Sequence, residues 1–155
     1  MKIYLAYGSN LNVAQMAIRC PSAKVAGYGF LRDTRLLFKG SKTGAYLTIE
    51  PYRGENVPVG AWRVSKADEA ALDRYEGFPK FYRKVTTTIA LTGTDGVTRQ
   101  TKAFYYTMRH GAQPGLPSEW YYDVCRRGYY DFGFDEKTLF DAVSATRKAM
   151  EYETR

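Results

Sequence analysis

One histidine and two cysteines in 155 residues remove much of the usual catalytic repertoire. A structural zinc needs about four ligands, commonly in C-x-x-C or H-x-x-x-H pairs. Cys20, Cys125 and His110 have no such spacing, so no metal is expected. A Cys125 and His110 nucleophile pair is conceivable but has no local signature; the ordinary alternative is a small buried hydrophobe and a loop histidine. Two cysteines cannot build a disulfide framework either, which suits a reducing cytosol. The chain also lacks a long apolar run. Its opening, Met-Lys-Ile-Tyr-Leu-Ala-Tyr, reaches Gly8 too soon to form a signal peptide or a membrane span, so a cytoplasmic protein with no membrane partner is expected. Neither the P-loop pattern nor the dinucleotide pattern G-x-G-x-x-G occurs around Gly8-Ser9-Asn10-Leu11, and no cofactor is implied.

What the chain does have is positive charge and tyrosine. The net charge is +7, but its 23 Lys and Arg residues are scattered among 16 acids, with no basic tract. Such a balance modestly favours anionic ligands. Fourteen tyrosines cluster in places, as in Phe104-Tyr105-Tyr106, Tyr121-Tyr122 and Tyr129-Tyr130. Aromatic and basic residues interleaved on a sheet could stack nucleobases, which makes a nucleic-acid-binding module one alternative. No RNA-binding fingerprint is present, however, and nucleic acid is not the expected partner. Tyrosine also suits half-buried strands, where its hydroxyl stays at the wet edge.

The apolar pattern runs without repeat or linker, predicting a single domain over residues 1–155. Residues 2–7 read as a buried strand, 8–11 as a tight loop, and 12–19 as a short helix capped by Asn12 and stopped before Pro21. Separate strands are predicted at 23–30, 34–38, 45–50 and 57–64. Ser65-Lys66-Ala67-Asp68 has the capping-box form and opens a helix that Gly77 ends. Long alternating segments at 81–91 and 97–107 flank an Asp95-Gly96 hairpin signal. Ser118 can cap a helix through Arg127, and Asp135 another through about Tyr152 with Leu139, Val143, Thr146 and Met150 on one face. The predicted class is α+β: a mixed curled sheet or small β-barrel flanked by helices.

Two segments carry chemical signal. Tyr7-Gly8-Ser9-Asn10-Leu11 lies between a strand and a helix, so its N–H groups can converge on an anion; it can equally be an ordinary capped turn. In Leu72-Asp73-Arg74-Tyr75-Glu76-Gly77-Phe78-Pro79, a carboxylate ends a helix among aromatic neighbours. The negative end of the helix dipole and apolar surroundings both raise a carboxyl pKa toward neutrality, as a proton shuttle requires. Pairing of Glu76 with Arg74, Arg83 or Lys84 at the surface is the other reading.

Taken in order, Tyr-Gly-Ser-Asn-Leu and the later Tyr75-Glu76-Gly77 with Tyr82 and Lys84 resemble the γ-glutamylcyclotransferase family, including its γ-glutamylamine cyclotransferases. Pro117-Ser118 with Tyr121 and Gly128 is similar to a third segment of that family, and the resemblance spans residues 3–128. It implies a γ-glutamylcyclotransferase-like fold and a cofactor-independent reaction that turns a γ-glutamyl compound into 5-oxoproline and a free amine or amino acid. By the same resemblance Glu76 is the general acid/base, Tyr7, Gly8, Ser9, Asn10 and Leu11 hold the substrate's α-carboxylate, and Tyr82 and Tyr121 line the site. The expected partner is a small γ-glutamyl molecule, and the expected state a monomer or homodimer. The chain departs from the family pattern at the bulky Phe78-Pro79-Lys80-Phe81 and at Tyr129-Tyr130 after Gly128. If Phe78, Phe81, Tyr129 and Tyr130 wall the leaving-group side, an apolar amine is favoured; if Arg126 and Arg127 do, a carboxylate is. A non-catalytic binding domain for a small acidic metabolite is a further alternative.

Overall fold

In the computed structural model, which describes residues 1–109 and 111–153, the longest feature is one hairpin. Strand β2 (Lys24–Lys39) runs antiparallel to β3 (Tyr46–Val64), from Lys24 opposite Arg63 to Lys39 opposite Tyr46. The four separate strands expected here are therefore two continuous ones. Bulges absorb the turn-forming residues: the register shifts between Val25 and Gly27 and again between Arg32 and Thr34. At the second shift Asp33 takes a positive φ of 55° and its carboxylate accepts the Gly54 N–H at 2.9 Å. The punctuation at these places bends the ribbon without ending it.

Strand β1 (Lys2–Ala6) adds to β3 antiparallel, β4 (Tyr82–Gly93) to β2, and β5 (Thr98–Met108) to β4. A parallel bridge between Tyr4 and Phe104 joins β1 to β5, so the sheet closes in the order β1-β3-β2-β4-β5. A closed sheet has no free edge along its closing pair. The expected alternatives, curled sheet or small barrel, resolve to a five-stranded barrel. β1 has partners on both sides, and its residues Tyr4, Leu5 and Ala6 are all buried.

Four helices dress the barrel: α1 (Val13–Arg19), α2 (Lys66–Glu76), α3 (Glu119–Asp131) and α4 (Lys137–Glu153). Asn12 caps α1 by accepting the Gln15 N–H, and Ser65 with Asp68 closes a full capping box on α2. Gly77 ends α2 in the left-handed region at φ 64°, where a side chain would be strained. Helix α3 runs four residues past the expected Arg127. Leu139, Ala142 and Thr146 turn α4 toward the barrel, and the Thr146 hydroxyl accepts the Phe38 N–H at 2.9 Å. No described helix is long and apolar enough to cross a membrane.

Helix α3 bears directly on the loop after β1. A Cβ on Gly128 would sit 2.6 Å from the Asn12 backbone nitrogen, so only glycine lets the helix lie that close. Two further bonds tie the segments together. Asn12 Nδ2 donates to the Val124 carbonyl at 3.1 Å, and the buried Tyr129 hydroxyl donates to the Tyr7 carbonyl at 3.0 Å.

Candidate active site

Beyond Ala6 the chain passes through Tyr7 and Gly8 into a single 3-10 turn, Ser9–Leu11. That turn uses the N–H of Leu11, bonded to the Gly8 carbonyl, and of Asn12, bonded to the Ser9 carbonyl. A Cβ at Gly8 would meet Leu47 Cδ1 at 3.2 Å, so a side chain here would crowd the start of β3. Ser9 and Asn10 are buried, yet both face a cavity of about 480 Å³. The cavity lies where the turn meets the ends of α1 and α2 and the first residues of β3, β4 and α3.

Glu76 lines the same cavity. Although 66 residues separate them in sequence, Asn10 Nδ2 stands 3.4 Å from Glu76 Oε1 and donates to it, and the same amide donates to the Tyr4 hydroxyl at 2.9 Å. The other end of the side chain, Asn10 Oδ1, accepts from Arg19, and the Asn10 carbonyl accepts the Trp62 indole N–H at 2.9 Å. These partners fix the amide with its N–H edge toward the carboxylate. Burial pushes the Glu76 carboxyl up to about 8, and the Arg19 guanidinium opposes the shift. The cause is loss of water rather than a neighbouring anion.

Arg19 is half-buried at the end of α1. Its guanidinium carbon lies 3.5 Å from the centroid of the Tyr75 ring, and it also donates to Gln15 at 3.2 Å. The Tyr75 hydroxyl lies 3.0 Å from Ser9 Oγ. Among the described residues no ion pair joins Glu76 to Arg74, Arg83 or Lys84; Lys84 is held by Glu69 at 2.7 Å and Asp73 at 2.9 Å.

Tyr7, Tyr82 and Tyr121 also line the cavity, each with a fixed hydroxyl. Tyr7 donates to the Tyr106 carbonyl at 2.8 Å and Tyr82 to the Leu47 carbonyl at 2.7 Å, whereas Tyr121 accepts the Leu47 N–H at 3.1 Å. Burial holds all three hydroxyls well above their ordinary range, so they remain neutral. Tyr46, Phe81 and Trp120 add further aromatic lining at the starts of β3, β4 and α3.

Some placements differ from expectation. Leu11 does not line the cavity: its side chain is fully buried in the core and its N–H is taken by Gly8. A leucine facing the barrel interior gains more from burial than from contact with a polar ligand. Of the aromatics expected around the leaving group only Phe81 lines the cavity, because Phe78 packs on Tyr106 beneath the Lys84 ammonium, Tyr129 is buried on Tyr7 and Tyr130 projects into solvent. Arg126 and Arg127 are exposed and pair with Asp123 on their own helix. The Cys125 and His110 pair falls partly outside the described residues; Cys125 itself is buried, which pushes its thiol up to about 12 and disfavours the thiolate.

Sequence reasoning missed Tyr4, Arg19, Tyr46, Arg74, Tyr75, Tyr106 and Trp120, all of which line the cavity. Tyr75 and Trp120 could have been found as neighbours of Glu76 and Tyr121 on the same helix ends. Nothing in the sequence brings Arg19 to Glu76.

The closed five-stranded barrel with its flanking helices is a γ-glutamylcyclotransferase-like fold. A solved γ-glutamyl cyclotransferase superposes with a TM-score of 0.73 over 96% of this chain and 85% of that chain, at 24% sequence identity. An uncharacterized human protein does so with the same TM-score and coverage at 26% identity. The family described as gamma-glutamyl cyclotransferase, AIG2-like, matches residues 4–123, and the chain belongs to it. The γ-glutamylcyclotransferase of Bos taurus is 35% identical over 82 residues, covering 48% of this chain and 44% of that protein. The match thus spans less than half the length of that curated relative.

Proposed function

We propose that the protein is a cofactor-independent cyclotransferase that converts a γ-glutamyl compound to 5-oxoproline and a free amine or amino acid, with Glu76 as general acid/base. The observation that carries this reading is the placement of the Glu76 carboxyl in one cavity with Ser9 and Asn10, 3.4 Å from Asn10 Nδ2, where burial raises it to about 8. An ordinary glutamate, with a pKa of about 4.3, is too weak a base to take a proton from an ammonium group near neutrality.

The chemistry needs a folded-back substrate and one group that first accepts and then returns a proton. The substrate's α-amine nitrogen bonds to its own γ-carbonyl carbon, and the bond from that carbon to the leaving nitrogen breaks. The α-ammonium sheds two protons in becoming the ring N–H. Glu76 takes the first before attack and returns it to the leaving nitrogen, and the second, released as the ring closes, ends on the freed amine as its ammonium, so no proton is gained or lost overall. Holding amine and carbonyl in contact converts flexible chain into a near-attack geometry, which supplies much of the rate. The turn's N–H groups at Gly8, Ser9 and Asn10, with the Ser9 hydroxyl, suit the α-carboxylate. Tyr121 accepts from the Leu47 N–H, so its own proton can be offered to the developing oxyanion. Tyr82 already donates to the Leu47 carbonyl and acts as wall.

Incubation with a panel of γ-glutamyl amino acids, amines and glutathione, followed by mass spectrometry for 5-oxoproline, tests the proposal. Release of 5-oxoproline from at least one member is expected; release from none overturns it.

A further inference from the structure

The cavity holds more aromatic surface than a glutamyl group needs. Trp120 is 67% exposed, Tyr46 45% and Phe81 40%, and all three line the same cavity. Large apolar side chains left uncovered together at a cavity mouth mark a place where a ligand covers them. The Tyr46 and Phe81 rings meet edge to face at 6.1 Å, which holds both in place without hiding them.

This wall continues into the reacting centre. Tyr46 packs edge to face on Tyr121 with centroids 5.1 Å apart, and Phe81 packs in the same way on Tyr82 at 5.1 Å. A group leaving the γ-carbon beside Tyr82 and Tyr121 therefore meets Tyr46 and Phe81 next. The charged residues that line the cavity, Arg19, Arg74 and Glu76, come from the ends of α1 and α2, not from the strands and helix that carry the aromatic wall. Arg19 is moreover engaged by Asn10, Gln15 and the Tyr75 ring.

We propose that Tyr46, Phe81 and Trp120 form a subsite for the leaving group and select γ-glutamyl compounds whose amine carries an aromatic ring. The proposal rests on the cyclotransferase reading of the cavity. Ring-on-ring contact of this kind adds to plain area burial, and three walls around one ring give it several edges and faces to meet.

The test compares kcat/KM for γ-glutamylphenethylamide and γ-glutamylmethylamide in the wild-type protein, Trp120→Ala and Trp120→Phe. Trp120 is exposed enough that its replacement leaves the core untouched. Wild type is expected to favour the phenethylamide at least tenfold, Trp120→Ala to reduce that ratio at least threefold, and Trp120→Phe to keep most of it. A wild-type ratio near one, or a ratio unmoved by Trp120→Ala, overturns the subsite while 5-oxoproline still forms. Absence of 5-oxoproline from every compound instead overturns the underlying reaction.

Discussion

The two walls of the cavity are built on opposite terms. On the wall formed by the turn, α1 and α2, Asn10 is buried and all of its side-chain polar atoms are engaged, by Tyr4, Glu76 and Arg19. On the other, Tyr46, Phe81 and Trp120 are exposed, and the contacts that hold Tyr46 and Phe81 are ring edges. A satisfied polar network has one arrangement and loses it if a partner goes, whereas aromatic faces accept ligands of varied outline. The first wall is suited to chemistry repeated without variation and the second to choosing what undergoes it. Replacements on the polar wall should therefore abolish or retune turnover, and replacement of Trp120 on the aromatic wall should change chiefly which substrate is turned over.

The largest effect belongs to Glu76→Gln, which keeps the size and removes the titrating group. Turnover should fall by about 10²–10⁴, the usual contribution of a positioned acid/base, while circular dichroism and substrate binding persist. Turnover equal to wild type in a 5-oxoproline assay would show that the carboxyl is not the shuttle. Next comes Gly128→Ala, outside the cavity. Alanine gains about 1 kcal/mol of helix propensity, but its Cβ would stand 2.6 Å from the Asn12 nitrogen, and overpacking against backbone costs about 1–3 kcal/mol. A lower urea midpoint together with reduced activity is expected; an unchanged midpoint would mean that the turn and helix separate without loss.

Arg19→Met acts through Glu76. The guanidinium favours the ionised carboxylate, so its removal raises the Glu76 pKa further above about 8. The ascending limb of kcat/KM against pH should move to higher pH, and activity at pH 7 should fall on the order of tenfold. A loss of activity with an unmoved limb would assign Arg19 a purely structural role. The same carboxyl also makes stability depend on pH. The folded protein keeps the Glu76 proton up to about pH 8, while the unfolded chain releases it near about 4.3. Burial of the neutral carboxyl thus stabilises most fully below about pH 4.3, and that contribution is lost as pH rises toward 8. Glu76→Gln has no such proton to lose, so its Tm relative to wild type should rise across that window.

The legible parts of this fold were the local ones. Caps at Asn12, Ser65 and Ser118 and the Asp95-Gly96 turn are written in adjacent residues and appear as expected. The split of β2 and β3 into shorter strands went astray because a bulge and a chain break carry the same residue types. At the site, Glu76 stood out as a carboxylate at a helix end among aromatic neighbours, the Tyr7 to Leu11 segment read equally as an ordinary capped turn, and family resemblance joined the two. Arg19 was not legible, because its relation to Asn10 depends on how α1 returns over the turn. Nor was the exclusion of Leu11, which reads as one more residue of a motif until the barrel gives its side chain an apolar place to go.

The contact of α3 with the turn sets an order of assembly. The Tyr7 carbonyl waits for the hydroxyl of Tyr129, 122 residues later, and the Asn12 amide waits for the Val124 carbonyl. During synthesis at about 5–20 residues per second, the motif that heads the chain leaves the ribosome many seconds before the helix that pins it. A nascent chain lacking α3 has neither tether on this turn. The five residues that look most like a portable signature are therefore among the last to acquire their working form, and grafting them alone onto another scaffold would transfer a spelling without its meaning.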